Sequence, residues 1–224
     1  NGGEIEYRDY YEYSWGKQIE HLTGIAVTNF SRGGLTAYQL YKEAAEKTSP
    51  IDDINRLFNA DNAKQAYIIA LGVNDITGKD VLRNIYGGNM GNAQTDIDVS
   101  DYNNNAPSFV GWYAKIIQRL KTISPDAKFF LLTMPSDRGS EEFNRAIEGI
   151  AGRLDNCYVM DFYICAPEYD DQFREKYFSG GHMNAMGYLL TAHYIMTFVD
   201  LIIRNNPDEF KYISFAGVEY RLVK

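Results

Sequence analysis

Two rhythms of apolar and polar positions alternate along this chain, one with the helical period and one of short apolar runs. That alternation predicts a parallel β-sheet with flanking helices. Helical periodicity covers residues 13–22, where Gly24 ends it, and then residues 36–47, 109–123 and 141–154. The apolar runs at residues 26–30 (AVTNF), 67–71 (YIIAL), 128–133 (KFFLLT) and 157–162 (CYVMDF) predict strands. A long last helix follows Asn184, whose side-chain oxygen is suited to capping it. Residues 185–203 are the longest apolar stretch. Thr191, His193, Thr197 and Asp200 interrupt it, which predicts a buried amphipathic helix rather than a membrane span. Residues 77–107 are polar and rich in Asn, Asp and Gly. That length predicts a functional rim or an ordered excursion rather than a simple connection. Residues 212–222 are strand-like in content, but their place in the chain makes them a poor central parallel strand. No repeat, low-complexity block or linker interrupts the pattern, so residues 1–224 read as a single domain.

Composition narrows the chemistry. With 224 residues and 45% hydrophobic content, one α/β domain can bury a sizeable core. Thirty acidic against 22 basic side chains give a formal charge of −8, which repels phosphate backbones and argues against nucleic acid as a partner. Neutral esters or glycans suit such a surface. Eighteen Tyr and 12 Phe would serve a sugar-binding face, but they are equally ordinary in a core. Asp96, Asp98 and Asp101 invite a calcium reading. An EF-hand loop needs Gly at its sixth position and Glu at its twelfth, where Asp101 and Pro107 stand, so a solvated loop is favoured. Cys157 and Cys165 read as two buried free thiols, with one bridge left open, and His21, His182 and His193 share no metal-ligand spacing. Residues 1–4 lack the basic and apolar regions of an export signal.

Three features fall where an open α/β sheet binds ligands, at or beyond strand ends. Gly33-Gly34 follows the first apolar run, Gly72-Val73-Asn74-Asp75 follows the second, and Ser179-Gly180-Gly181-His182-Met183-Asn184 opens the last helix. Taken singly, each has a plain structural explanation in turn or cap chemistry. Together they fit acyl transfer, which needs a nucleophile, a base and donors aimed at the developing oxyanion. The Gly34 N–H and the Asn74 amide can be the donors, and His182 can carry the nucleophile's proton to the leaving group.

At these residues the sequence resembles the SGNH or GDSL hydrolases. Residues 29–36 (NFSRGGLT) look like that family's second block, with Gly34 in the oxyanion-donor place. Gly72-Val73-Asn74-Asp75 matches the third block in full, with Asn74 as side-chain donor. Residues 181–188 (GHMNAMGY) resemble the fifth block, with His182 as catalytic base. The resemblance implies a three-layer α/β/α sandwich around a flavodoxin-like parallel sheet of order 2-1-3-4-5. It also implies ester hydrolysis through an acyl-enzyme, on an acetyl or other short acyl group that a carbohydrate could carry, without metal or organic cofactor. A secreted or periplasmic location goes with it.

The sequence departs from that pattern in two places. Ser179 stands where the family's triad has Asp, and a hydroxyl cannot supply the charge that stabilises an imidazolium. A Ser–His dyad, a backbone carbonyl, or a carboxylate such as Asp161 or Glu168 are the alternatives. The other departure is the missing Gly-Asp-Ser block. Ser14 and Ser31 follow no buried strand with an adjacent Asp, so the expectation is a nucleophile and a first strand upstream of these residues. The competing reading is a non-catalytic SGNH-like carbohydrate-binding module that has lost its triad. A phosphate-binding flavodoxin-like protein ranks last, because Gly33-Gly34 lacks the spacing of a phosphate loop.

Overall fold

The computed structural model describes residues 11–78 and 80–210. In chain order the elements are α1 (Trp15–Thr23), α2 (Ala37–Glu46), α3 (Asp52–Asn55), β1 (Ala66–Ile69), α4 (Val73–Ile76), α5 (Val81–Tyr86), α6 (Ala93–Asp96) and α7 (Phe109–Ile123). There follow β2 (Lys128–Leu132), α8 (Glu141–Arg153), β3 (Cys157–Met160), α9 (Phe162–Cys165), α10 (Asp171–Tyr177), β4 (Phe178–Ser179), β5 (His182–Met183) and α11 (Ala185–Asn205). The described residues divide into two compact units. One is built from residues 30–167, the other from residues up to 29 and from 168 onward.

The larger unit holds the sheet. β1, β2 and β3 lie side by side in that order, both ladders parallel, with Ile69 opposite Leu131 and Leu132 opposite Met160. These three neighbours reproduce the 3-4-5 run of the flavodoxin-like order. All five residues of β2 are buried, as its unbroken apolar run predicts for a middle strand covered on both faces. Phe129, Leu131, Ile147 and Ile150 are fully buried here, and each contributes about 1.5–3 kcal/mol of transfer free energy. The helices begin where local chemistry starts them. Thr36 and Gln39 form a capping box at α2, Ser108 caps α7 through Gly111 N–H, and Ser140 caps α8 through Phe143 N–H.

The predicted strand at residues 26–30 is corrected: this segment joins no ladder among the described residues. Side chains bond its backbone instead. Val27 N–H donates to Glu20 Oε2 at 2.8 Å, and Val27 O accepts from the Tyr11 hydroxyl at 2.8 Å. Extended backbone becomes a strand only when a neighbour pairs with it. The strand-like run at 212–222 lies outside the described residues, as do residues 1–4.

Residues 77–107 form an ordered excursion containing two short helices, α5 and α6. Tyr86, Met90, Ala93 and Ile97 anchor it in the core. Its acidic residues organise the chain itself. Asp98 Oδ1 accepts from Ser100 N–H, the Ser100 hydroxyl and Asp101 N–H, and Oδ2 accepts from the Asn104 amide. The Ser100 hydroxyl, followed by the neighbouring N–H donors, holds the Asp98 carboxyl well below its ordinary range. Asp96 Oδ2 accepts from the Ser108 hydroxyl at 2.7 Å, tying the excursion to the start of α7.

In the smaller unit α1 packs on α11, and α10 leads into a two-residue-looped hairpin of β4 and β5. The αL conformation of Gly24 (φ 75°) ends α1, as its position predicts. Asn184 caps α11 by accepting from Gly187 N–H at 3.0 Å. By length and composition α11 is apolar enough to cross a membrane, and its buried stripe consists of Gly187, Ala192, Ile195 and Val199. Cys157 and Cys165 are free thiols, but the expected burial is corrected for Cys165, which is exposed; burial pushes the Cys157 thiol up to about 12.

Candidate active site

The site's best-defined part is the junction of the Gly33-Gly34 turn with the segment after β1. Leu35 N–H closes a turn on Arg32 O at 3.4 Å, and Gly34 sits in it with φ +79°. A side chain at Gly34 would have open space, so the backbone conformation is what calls for glycine. Gly34 itself is exposed. Across from it, Asn74 lies in the first turn of α4, and its Nδ2 donates to Leu35 O at 3.0 Å. That bond uses one of the two N–H groups of the amide. The structure thus brings Asn74 within one residue of Gly34, although 40 positions separate them in sequence.

Asp75 fixes this junction from beneath. It is fully buried, and its Oδ1 accepts from Ala37 N–H at 3.0 Å, at the first residue of α2. The same oxygen accepts from the Tyr86 hydroxyl at 2.5 Å, and Tyr86 Oη in turn accepts from Tyr38 N–H at 3.1 Å. Burial pushes the Asp75 carboxyl above its ordinary range, while the Tyr86 hydroxyl and the Ala37 N–H pull the other way. Burial, and then the Asp75 charge, raise Tyr86 far above the usual phenol value, so its proton stays in the bond to Asp75.

Gly72 sets the approach to Asn74. Its φ is +126°, and a Cβ there would lie 2.3 Å from Cε2 of the buried Phe143. Backbone and packing both demand glycine at this position.

His182 belongs to the smaller unit, on β5, where it pairs with Ser179 across the hairpin. The Gly180-Gly181 loop makes that reversal possible, with φ +61° at Gly180. Ser179 is therefore the cross-strand neighbour of His182 while standing in the family's acid position. Of the carboxylates considered as alternatives, Asp161 is engaged in capping α9. Its Oδ1 accepts from Ile164 N–H and from the Thr133 hydroxyl. Ser14 likewise accepts from Lys17 N–H as the cap of α1. Among the described residues no cluster of three or more His, Cys, Asp or Glu side chains is arranged to hold a metal.

The profile of the GDSL-like Lipase/Acylhydrolase family matches residues 2–190. The chain belongs to this family. No curated protein matches it. A solved crystal structure is similar to it at 22% identity, covering 85% of this chain and 87% of its own with a TM-score of 0.58, which speaks to the fold. As a GDSL-like protein the chain has the SGNH α/β/α fold, and its chemistry is that of a hydrolase acting on esters. What sequence reasoning missed is Tyr86. It is one of two tyrosines in the polar stretch 77–107, and nothing in the sequence marks its partner.

Proposed function

We propose that this GDSL-like hydrolase cleaves short acyl esters, acetyl esters first among them, through an acyl-enzyme. The observation that carries the reading is the pairing of two donors, Gly34 N–H and Asn74 Nδ2, at one junction. The nucleophile in this proposal is a serine in a Gly-Asp-Ser segment that is not among these 224 residues. His182 removes its hydroxyl proton as it attacks the ester carbonyl. The resulting oxyanion is held by Gly34 and Asn74, and the imidazolium returns the proton to the departing alcohol. Water then repeats the sequence on the acyl-enzyme, releasing the acid and regenerating the serine. The acidic, Tyr-rich composition supports a neutral glycan as the alcohol, and acetylated xylan against acetylated glycerol would test it. Preference for the glycerol ester would remove the glycan.

The test of the reaction is p-nitrophenyl acetate hydrolysis by the full-length protein and by His182→Ala. The variant is expected to lose about 10²–10⁴-fold in kcat. Equal rates would favour the binding module, the reading that Ser179 in the acid position supports. A secreted or periplasmic location belongs to the same proposal, and recovery of the protein only in the cytoplasmic fraction would refute it.

A further inference from the structure

The excursion at residues 77–107 delivers one side chain to the candidate site, and that side chain makes a chain of bonds. Tyr86, on α5, donates to Asp75 Oδ1, and the same oxygen holds Ala37 N–H. Asp75 adjoins Asn74 in α4, and Ala37 lies two residues beyond Leu35, the residue whose carbonyl receives the Asn74 amide. Tyr86 Oη also takes Tyr38 N–H, so one phenol clamps both sides of the junction, the start of α2 and the segment after β1. The ring itself is fixed by edge-on packing on Phe109, with centroids 6.2 Å apart, and Phe109 packs on Phe143, the side chain that abuts Gly72. No part of this arrangement reaches a reacting atom. Each bond instead sets where the Asn74 amide sits relative to Gly34 N–H.

We propose that Tyr86 is a positioning residue for the oxyanion hole, acting through the Asp75 carboxylate to hold the Asn74 amide and the Gly34 turn in register. The inference rests on reading Asn74 and Gly34 as the oxyanion donors. Donors of this kind work only when preorganised, and displacement by about 1 Å costs on the order of 10²-fold in rate. Removing the Tyr86 hydroxyl therefore weakens transition-state stabilisation and leaves ground-state binding alone. Its effect must also vanish once Asp75 is gone.

The experiment is a double-mutant cycle on the full-length protein with p-nitrophenyl acetate, active sites being counted by fluorophosphonate labelling at completion. Tyr86→Phe is expected to lower kcat about 10–100-fold with KM within about twofold. Asp75→Ala is expected to lose at least as much, and Asp75→Asn, which keeps the Oδ1 acceptor, to lose less than Asp75→Ala. In the Asp75→Ala background, Tyr86→Phe is expected to change kcat by less than about twofold. Multiplying effects, or a rise in KM that accounts for the loss, would overturn the proposal. Amide exchange by mass spectrometry provides a readout free of turnover. Tyr86→Phe is expected to speed exchange in residues 34–38 and 73–76 and to leave α8 unchanged, and uniform exchange throughout would refute the clamp. A wild-type protein that neither hydrolyses the ester nor labels would remove the esterase reading, and the exchange result would then decide the clamp by itself. Should Tyr86→Phe fail to fold, the comparison of Asp75→Asn with Asp75→Ala decides it, equal losses counting against.

Discussion

Gly72→Ala perturbs the geometry that presents Asn74, and its cost divides into two separable parts. The first is conformational. At φ +126° and ψ −31° an L-residue is in a sparsely populated region, costing about 1–3 kcal/mol. The second is steric. The new Cβ would stand 2.3 Å from Cε2 and 2.5 Å from Cζ of Phe143. Phe143 is fully buried and packs on Phe109 with ring centroids 5.6 Å apart, so it cannot swing aside freely. Overpacking of this kind costs about 1–3 kcal/mol, for a total of roughly 2–6 kcal/mol. Urea unfolding of the wild type, Gly72→Ala, Phe143→Leu and the double variant separates the two parts. The clash appears as a favourable coupling of about 1–3 kcal/mol between the substitutions, while the conformational part persists in the Phe143→Leu background. A Gly72→Ala protein within about 0.5 kcal/mol of wild type would refute the reasoning, and zero coupling would refute its steric half.

Ser108 is fully buried, caps α7 and donates to Asp96, so Ser108→Ala is expected to cost about 1–3 kcal/mol by denaturant unfolding. A loss below about 0.5 kcal/mol would show that the excursion is not anchored there. Asp75 should make stability depend on pH with a definite sign. Its folded-state pKa is raised above the ordinary 3.8, so the folded chain holds the proton more tightly than the unfolded one. Ionising it costs nothing below the unfolded value, and the penalty grows as pH rises toward the folded one. The stability of Asp75→Asn relative to wild type is therefore expected to climb from about pH 4 upward, and a flat difference across that window would contradict the assignment.

The elements that the sequence made legible are those whose signal is local. The helix predicted at 109–123 is α7 with the same bounds, because Ser108 caps it and its apolar stripe has the helical period. The strands at 67–71, 128–133 and 157–162 all appear, each one or two residues shorter at its C-terminal end, where the chain turns toward the ligand-binding edge. Residues 26–30 have strand composition but join no ladder among the described residues, and pairing is not written in a segment's own residues. In the candidate site, Gly34 and Asn74 were singled out because the glycine turn and the Gly-Val-Asn-Asp segment stand in the order of the family's blocks, and the structure places these two at one junction. Tyr86 was not, because the role proposed for it depends on a contact 11 positions away in sequence, with a carboxylate that itself looked like turn chemistry.

The most direct test of the account is the kcat of Asn74→Ala in the full-length protein, measured with p-nitrophenyl acetate per labelled active site. Loss of one oxyanion donor is expected to lower kcat about 10²–10³-fold while KM stays within about threefold. A kcat equal to that of the wild type would contradict the placement of the oxyanion hole at Asn74 and Gly34.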